Sequence, residues 1–292
     1  MQDTKKRYNK KKYSTRRKKY RKGMKIRRKL HGGNQKVIVF FLNKQAGFFS
    51  QYFFLCTAYI HAKKNNIPFF VNSSEWDYKW KDGWHDYFSS LEEYKEDGTP
   101  REIIDYSHHK NTNIAGITNA EYIQAIKETY VLNDDISAKI KEHVDTNGKY
   151  DSLYIRRGDK AVEMALEPIG DIIGMTDLKE TTKKLFVQTD DSRVVEECKN
   201  LLPGVEVFTL TPEGKHGAGL GQLGQMSPEQ RKEETYNLLI SIGVFLAGEK
   251  CWTDVRSNLG RFHKLAEAGK VKTYPTGTDL NMNKEVRPFY VI

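Results

Sequence analysis

Charged and polar side chains follow three apolar runs in the C-terminal half of the chain, at the points where those runs end. These side chains are Arg156 and Arg157 after the first run, Asp190 and Asp191 after the second, and Asp254, Arg256, Ser257 and Asn258 after the last. A guanidinium group donates two parallel hydrogen bonds to phosphate oxygens and stays charged, so a pair of arginines suits a diphosphate. A serine that heads a helix adds unpaired backbone N–H groups and the positive end of the helix dipole. We therefore predict that these residues line a crevice that binds a diphosphate.

The same charges allow a second interpretation, in which they form a structural network. Arg156 and Arg157 would then pair with Asp159, Asp190 and Asp191, and no ligand would be involved. The spacing of the residues favours the phosphate site and leaves the network open as the alternative.

Alternating strands and helices are predicted to carry these side chains. Apolar runs in the C-terminal half predict strands at Leu153–Arg156, Leu185–Gln188, Val205–Leu210 and Cys251–Thr253. The helices predicted between them include an amphipathic one over 191–202 and a long one that starts at the capping box Ser227-Pro228-Glu229-Gln230. Such alternation favours a parallel, doubly wound α/β sheet, which binds ligands at the carboxyl ends of its strands.

The N-terminal half begins with a predicted β-α-β unit. Val37–Leu42 (VIVFFL) and Ile67–Val71 (IPFFV) are predicted buried strands, and the apolar spacing between them predicts a helix. Residues 72–113 are predicted to form a long, partly helical insertion, followed by helical structure over 119–144. The turn signal Asp145-Thr146-Asn147-Gly148 marks the predicted domain boundary.

The chain has 292 residues and a formal net charge of +10, and this charge is unevenly distributed. Residues 1–29 contain 16 Lys and Arg residues and one acidic residue, whereas the remainder contains 32 basic and 37 acidic residues. We predict a disordered basic arm over residues 1–33, followed by an acidic globule. No stretch is apolar enough to be a signal peptide or to span a membrane, and three isolated cysteines predict buried thiols in a reducing compartment. We therefore expect a cytoplasmic protein.

The basic arm has three candidate roles, which are nuclear import, binding of nucleic acid and attraction to anionic lipid. Contact with a polyanion would involve residues 5–29, whose tyrosines can stack on bases. The alternative is a solvated tail that has little effect on activity.

Three segments of the C-terminal half together resemble a known family. YIRRGDK at 154–160 resembles the H-x-R-R-x-D-K signature of the α1,6-fucosyltransferase and peptide O-fucosyltransferase superfamily. FVQTDD at 186–191 is similar to the family's strand ending in A-T-D-D, and TDVRSNLGRF at 253–262 is similar to its T-F-S-S-Q-x-x-R segment. The order and spacing of the segments agree over residues 150–269, whereas the resemblance over 34–145 is general. The unanchored, Lys- and Arg-rich N-terminus also resembles that of proteins from large DNA viruses.

The family resemblance implies a GT-B fold, in which two Rossmann-like domains face each other across a cleft. Residues 34–148 would form the acceptor-side domain, and residues 149–292 would form the domain that binds the donor. The implied activity is inverting transfer of L-fucose from GDP-fucose to a hydroxyl group of a glycan or glycoprotein, without a further cofactor. We predict no metal at Asp190 and Asp191, because two arginines are available to neutralise the diphosphate.

The resemblance also implies roles for individual residues. Arg156 matches the arginine that grips the β-phosphate and stabilises the leaving group, and Arg157 matches the second arginine of the motif. Ser257 matches a serine near the phosphates. Glu163 aligns with the catalytic glutamate, the base that deprotonates the acceptor, if one residue is deleted before it. The alternative for Glu163 is a solvated loop acid, and Glu167 is its nearest rival as the base.

Two departures from the family pattern concern recognition of the nucleobase. Tyr154 stands where the family has the histidine that contacts the base, and Ser241 stands where it has an aspartate for the guanine edge. Neither change affects the diphosphate. The sequence therefore supports binding of a nucleotide sugar more directly than specificity for guanine or fucose.

The aromatic insertion supplies candidates for binding the acceptor, and these are Trp76, Trp80 and Trp84. Aromatic rings stack on the C–H faces of sugars, and the insertion belongs to the domain that should face the acceptor. Packing in the core or between domains is the alternative, because most clustered aromatic side chains lie there.

Two other functions remain open at this point. One is a non-catalytic relative that binds a glycan or a nucleotide, and the other is a nucleic-acid-binding protein that acts through the basic arm. The acidic globule argues against the latter, because a duplex-binding face normally carries clustered basic residues beyond a tail.

Overall fold

The computed structural model describes residues 35–43, 46–107, 110–111, 114, 116–158, 166–217, 225–275 and 280. The strands in these residues are β1 Gln35–Phe41, β2 Phe69–Asn72, β3 Arg101–Ser107, β4 Asp151–Ile155, β5 Lys184–Thr189, β6 Glu206–Phe208, β7 Cys251–Thr253 and β8 Val271–Thr273. The α-helices are α1 Phe48–Lys64, α2 Asn119–Thr129, α3 Asp134–Asn147, α4 Ile169–Gly174, α5 Leu178–Thr181, α6 Ser192–Leu201, α7 Pro228–Ala247 and α8 Asn258–Ala266.

The N-terminal half contains a three-stranded sheet with the order β2-β1-β3. β1 consists largely of buried apolar residues, and it pairs with β2 in parallel, so the predicted β-α-β unit is present. The predicted insertion contains a single 3-10 turn, Gly83–Asp86, within its described residues, and it contributes β3, which the sequence pattern did not reveal. β3 escapes a periodicity argument because its burial does not alternate along the strand.

The C-terminal half contains a five-stranded sheet with the order β6-β5-β4-β7-β8, in which every neighbouring pair is parallel. Starting from β4, the chain adds β5 and β6 on one side and then returns to add β7 and β8 on the other. The strand order therefore switches direction between β4 and β7. In open α/β sheets, the chain leaves neighbouring strands toward opposite faces at such a switch, and a crevice opens there.

Local sequence signals place the helices that flank this sheet. Ser227 caps α7 through its side chain, and Gln230 completes the predicted capping box. Asp191 caps α6 and Ser257 caps α8, each by accepting a backbone N–H bond. The short helices α4 and α5 and the strand β8 were not predicted, because segments of three to six residues are too short to establish a period.

The two halves share one apolar core. The ring of Phe262 on α8 lies 4.7 Å from that of Phe49 on α1 and 4.6 Å from that of Tyr130, measured between centroids. A second cluster, which includes Leu153 and Val187, fills the opposite face of the C-terminal sheet. The described residues from Lys36 onward form one compact unit. One sheet lies on each side of residue 148, and the domain boundary there stays a prediction.

None of the described helices combines the length and the apolar character that a membrane-spanning helix requires.

Candidate functional site

A cleft opens at the carboxyl ends of β4 and β7, where the strand order switches. It is partly open to solvent. Its polar lining consists of Arg156, Arg157, Glu167, Asp254, Arg256 and Ser257. The structure thus brings the two predicted arginines together with the predicted serine, although about 100 residues separate them in sequence.

Arg156 is held beside the cleft by an ion pair with Asp190. Its Nη1 atom lies 2.7 Å from Oδ2 of Asp190, and about a quarter of the Arg156 side chain is exposed. The other carboxylate oxygen of Asp190 accepts a hydrogen bond of 2.8 Å from the backbone N–H of Arg157. Asp190 therefore orients both the guanidinium group of Arg156 and the backbone that follows β4.

The Arg157 guanidinium group has a different partner from that of Arg156. Its Nη2 atom donates a hydrogen bond of 2.8 Å to the backbone carbonyl of Glu167. Its guanidinium group forms no ion pair with a carboxylate among residues that the structure describes. Arg156 thus has one of the carboxylate partners that the structural network requires, whereas Arg157 has no carboxylate partner among the described residues.

Arg256 is a third arginine of the cleft, and the sequence placed it in the predicted crevice without assigning it a phosphate-binding role. Its Nε and Nη2 atoms donate to the two carboxylate oxygens of Asp254 at 2.9 and 2.8 Å, and its Nη1 atom lies 3.2 Å from Oε1 of Glu167. The carboxylate of Asp254 raises the pKa of Arg256. Its position one residue before the helix-capping Ser257 is the signal that could have assigned it that role.

Ser257 connects the helix α8 to the central strand. Its Oγ accepts a 2.9 Å hydrogen bond from the backbone N–H of Gly260 and lies 3.2 Å from the hydroxyl of Tyr154. Tyr154 is only 2% exposed, and its pKa is raised by burial. Asn258 is the first residue of α8, and its Oδ1 accepts a hydrogen bond from Arg261. The buried Tyr154 thus contacts the serine that caps α8.

Tyr274, which follows β8, reaches across to β4. Its hydroxyl donates a short hydrogen bond to the backbone carbonyl of Tyr154, two residues before Arg156. Tyr274 is buried, and it lines the cleft. Its contact spans two strands of the sheet, so sequence reasoning had no signal for it.

Asp191 has different partners from Asp190. Its carboxylate caps α6 by accepting from the backbone N–H of Arg193 at 3.0 Å, and it also binds the Arg193 guanidinium, with Nε at 2.9 Å. These bonds lower the pKa of Asp191 to about 2. Nδ1 of His216 lies 3.6 Å from the same carboxylate. Asp191 thus has a structural role in this arrangement.

Two glycines allow the loop after β6 to approach the end of β4. Gly217 has a φ of +84°, and a Cβ atom placed on it would lie 2.6 Å from Cα of Gly158. Its backbone N–H donates to the carbonyl of Asp190 at 2.7 Å. Only glycine fits this contact, because both the positive φ and the close backbone approach exclude a side chain.

The candidate base Glu163 and the network residue Asp159 lie outside the described residues, and the role of Glu163 stays a prediction. Its rival, Glu167, lies in the cleft, and its carboxylate pairs with Arg256. Among the described residues, no three His, Cys, Asp or Glu side chains are arranged to hold a metal ion. Metal independence likewise stays a prediction.

The three candidate tryptophans have different environments. Trp84 is 1% exposed and stacks on Phe88 with centroids 4.2 Å apart, and Trp76 is 4% exposed and lies between other aromatic rings. Their ring faces are covered, which favours the core-packing interpretation for both residues. Trp80 is half-buried. It alone among the three is partly exposed.

The arrangement was compared with known proteins. No protein-family model matches the chain, and the curated proteins include no match. Solved structures do match. A fucosyltransferase NodZ from Bradyrhizobium has a TM-score of 0.56 at 12% identity, over 84% of this chain and 97% of that one. NodZ α1,6-fucosyltransferase soaked with GDP-fucose has a TM-score of 0.54 at 13% identity, over 80% and 93%.

A plant structure agrees. Arabidopsis thaliana FUT1, in a mutant form in complex with GDP, has a TM-score of 0.53 at 9% identity, over 90% of this chain and 75% of that one. The chain has the GT-B fold of these fucosyltransferases. Identities this low establish the fold alone. Neighbours from Bradyrhizobium and Arabidopsis do not support the viral origin that the basic N-terminus suggested.

Proposed function

We propose that this GT-B protein is a glycosyltransferase that uses a nucleotide-diphosphate sugar, with GDP-fucose as the leading donor. The observation that carries the proposal is the cleft between β4 and β7, where three guanidinium groups and the N-terminus of α8 meet. Solved structures with the same fold contain GDP-fucose or GDP. An acceptor hydroxyl on a glycan or glycoprotein completes the proposed reaction.

The diphosphate of the donor would be bound by charge and by neutral donors together. Arg157 is the first candidate, because its guanidinium has no carboxylate partner in the described part of the chain. Arg156 is the second, since Asp190 orients it and leaves part of its side chain exposed. Ser257 and the first turn of α8 add hydrogen-bond donors and the positive end of a helix dipole.

In the proposed transfer, the oxygen of the acceptor hydroxyl attacks the anomeric carbon of the sugar. The bond from that carbon to the β-phosphate oxygen breaks, and its electron pair stays on the nucleoside diphosphate. A carboxylate takes the proton from the acceptor. The arginines stabilise the negative charge that develops on the leaving diphosphate, which lowers the energy of the transition state.

The donor site can be tested by nucleotide binding to an Arg156→Ala variant. We expect it to bind GDP and UDP at least tenfold more weakly than wild type and to lose transfer, because a charge-assisted hydrogen bond to phosphate contributes about 1.5–3 kcal/mol. The measurement is a thermal-shift panel of GDP, UDP and their sugar conjugates. Arg193→Ala is the matched control, because Arg193 lies near the same sheet edge but outside the cleft. Unchanged affinity in a folded Arg156→Ala protein would refute the site.

The catalytic base can be tested with two isosteric variants, Glu163→Gln and Glu167→Gln. If Glu163 is the base, its variant should lose turnover by about 10²-fold or more while donor binding persists, because the amide cannot accept the proton. Glu167→Gln should act mainly on donor binding through Arg256, which its carboxylate contacts. Full turnover in Glu163→Gln together with loss in Glu167→Gln would move the base to Glu167.

The competing function is that of a relative which binds a glycan or nucleotide without catalysis. It predicts that GDP still binds, that no conditions give transfer, and that Glu163→Gln changes nothing measurable. Single-turnover assays with a radiolabelled GDP-sugar on several acceptor classes would separate the two.

A further inference from the structure

Two lysine side chains from different halves of the chain converge on one tryptophan. Nζ of Lys232 on α7 lies 3.7 Å from the centroid of the Trp80 ring, and Nζ of Lys81 lies 4.0 Å from the same centroid. Lys232 also lies 5.3 Å from the ring of Tyr236. Trp80, Lys81, Lys232 and Tyr236 are called the Trp80 cluster below.

No carboxylate among the described residues balances the two positive charges of the cluster. Neither ammonium group forms an ion pair within the residues that the structure describes. The neighbouring carboxylate of Asp86 accepts instead from three backbone N–H groups, those of Trp80 at 2.8 Å, Lys81 at 3.0 Å and Asp82 at 2.9 Å. Two cations on one ring repel each other at distances that physiological salt screens only partly. A bound anion would remove that repulsion.

The cluster is also held in place before any ligand arrives. Asp86 fixes the backbone of Trp80, Lys81 and Asp82 through hydrogen bonds from their N–H groups, and Tyr236 belongs to the long helix α7. Trp80 is half-buried, whereas Trp84 is buried. A site whose groups are already positioned spends less entropy on binding, so this arrangement favours a ligand.

Tyr78 links the cluster in sequence to the electrostatic surroundings of Arg156. Two residues before Trp80, the hydroxyl of Tyr78 accepts a 2.9 Å hydrogen bond from the backbone N–H of Phe48. Burial raises the pKa of Tyr78, and the positive charge of Arg156 opposes that rise, so the two side chains are within electrostatic reach. Two residues span at most about 7 Å of chain.

We propose that the Trp80 cluster binds the negatively charged group of an acidic saccharide, which makes acidic glycans the acceptor class. The ammonium groups of Lys81 and Lys232, which lie over the Trp80 ring, hold a carboxylate, sulfate or phosphate of the saccharide. The acidic balance of residues 30–292 favours a saccharide over a polynucleotide, whose recognition needs a broad basic face. The acceptor assignment rests on the proposed function.

The test uses full-length protein and a matched pair of disaccharides, one with a glucuronate residue and one with glucose in its place. Binding is followed by tryptophan fluorescence. A ligand at the surface should change mainly the emission of Trp80, because Trp76, Trp84 and Trp252 are buried. The basic arm does not carry a tryptophan, so its contacts leave this signal unchanged. A single-stranded oligothymidylate serves as the third probe.

We expect wild type to bind the acidic disaccharide at least tenfold more tightly than the neutral one, with an affinity that falls as salt rises. The double variant Lys81→Gln/Lys232→Gln should lose this preference, and the Lys→Arg double variant should restore most of it. Lys127→Gln, at an exposed lysine without a described partner, is the control. Melting temperatures verify that each variant folds.

Three results would overturn the proposal. The first is equal binding of the two disaccharides by wild type. The second is a loss of binding in Lys127→Gln as large as that in the double variant. The third is a fluorescence response to the oligothymidylate and to neither disaccharide. GDP binding on the same variants separates this test from that of the proposed function. If wild type bound the acidic disaccharide but no nucleotide, the glycosyltransferase would be refuted and the saccharide site would stand.

Discussion

The charged side chains that line the cleft of the C-terminal sheet reach solvent, whereas most of the clustered aromatic side chains in the N-terminal half are buried. In the cleft, Arg156, Arg157 and Ser257 lie at the carboxyl ends of parallel strands and reach a space open to solvent. In the N-terminal half, Trp76 and Trp84 are covered by other rings. Both groups have residue types that suit a ligand, and only the first is exposed to one.

The difference follows from the geometry of the two regions. A strand must end, and the residues after its last backbone pair leave the core, so polar side chains there face the crevice of a doubly wound sheet. An aromatic residue in an irregular segment has no such constraint, and burial of its apolar surface normally decides its position. Strand ends therefore predict a site more reliably than aromatic composition does.

The largest effect that we expect on stability comes from the buried member of the aromatic region. Trp84→Ala should lower the free energy of unfolding by about 3–5 kcal/mol, because it leaves a cavity and an unpaired carbonyl at Ser90. Trp80→Ala should change it by less than about 1 kcal/mol, since Trp80 is half-buried. Urea unfolding of both variants measures the contrast. Similar losses in the two variants would remove the distinction between core and surface in this region.

A smaller effect on stability is expected from the charged helix cap Asp191, which follows Asp190 at the end of β5. Asp191→Ala should cost about 1–2 kcal/mol at pH 6, because it removes a helix cap and an ion pair. The pKa of Asp191 is lowered from 3.8 to about 2, so its contribution to stability is present above pH 3.8. That contribution is lost as the pH falls through 2. The free-energy difference between wild type and variant should therefore shrink on acidification.

This pH dependence has its own control. Glu196→Ala lies on the same helix and removes an exposed ion pair with Lys199, so it should change the stability little at any pH. Urea unfolding at several pH values between 6 and 2.5 measures both variants. A difference for Asp191→Ala that stays constant over this range would contradict the assigned role.

The smallest effect is expected from metal removal. We expect EDTA to leave transfer within about twofold of its untreated rate, because the guanidinium groups of the proposed donor site would neutralise the diphosphate without a cation. The assay compares treated enzyme with enzyme supplied with Mn²⁺ or Mg²⁺. Stoichiometric recovery of lost activity by either ion would show that the arginines of the cleft are insufficient, and it would bring Asp190 back as a candidate ligand.

Several features of the fold were predictable because their signals are local. The buried run at β1, the capping box at Ser227 and the helix cap at Ser257 each depend on residues within a few positions of one another. The strand β3 and the short helices α4 and α5 were missed because they are irregular or very short. The long helical stretch over 119–144 proved to be two helices, since a break falls between Thr129 and Asp134.

By itself, the sequence determined the alternation of strands and helices in the C-terminal half and the polar residues at the strand ends, because periodicity and capping act over short distances. Only the tertiary structure decided which charges pair. Arg156 meets Asp190, Arg157 meets the carbonyl of Glu167, and Lys232 meets Trp80. Each of these contacts joins different elements of the fold. No local pattern encodes them, because the order and packing of the strands set the distances between their ends.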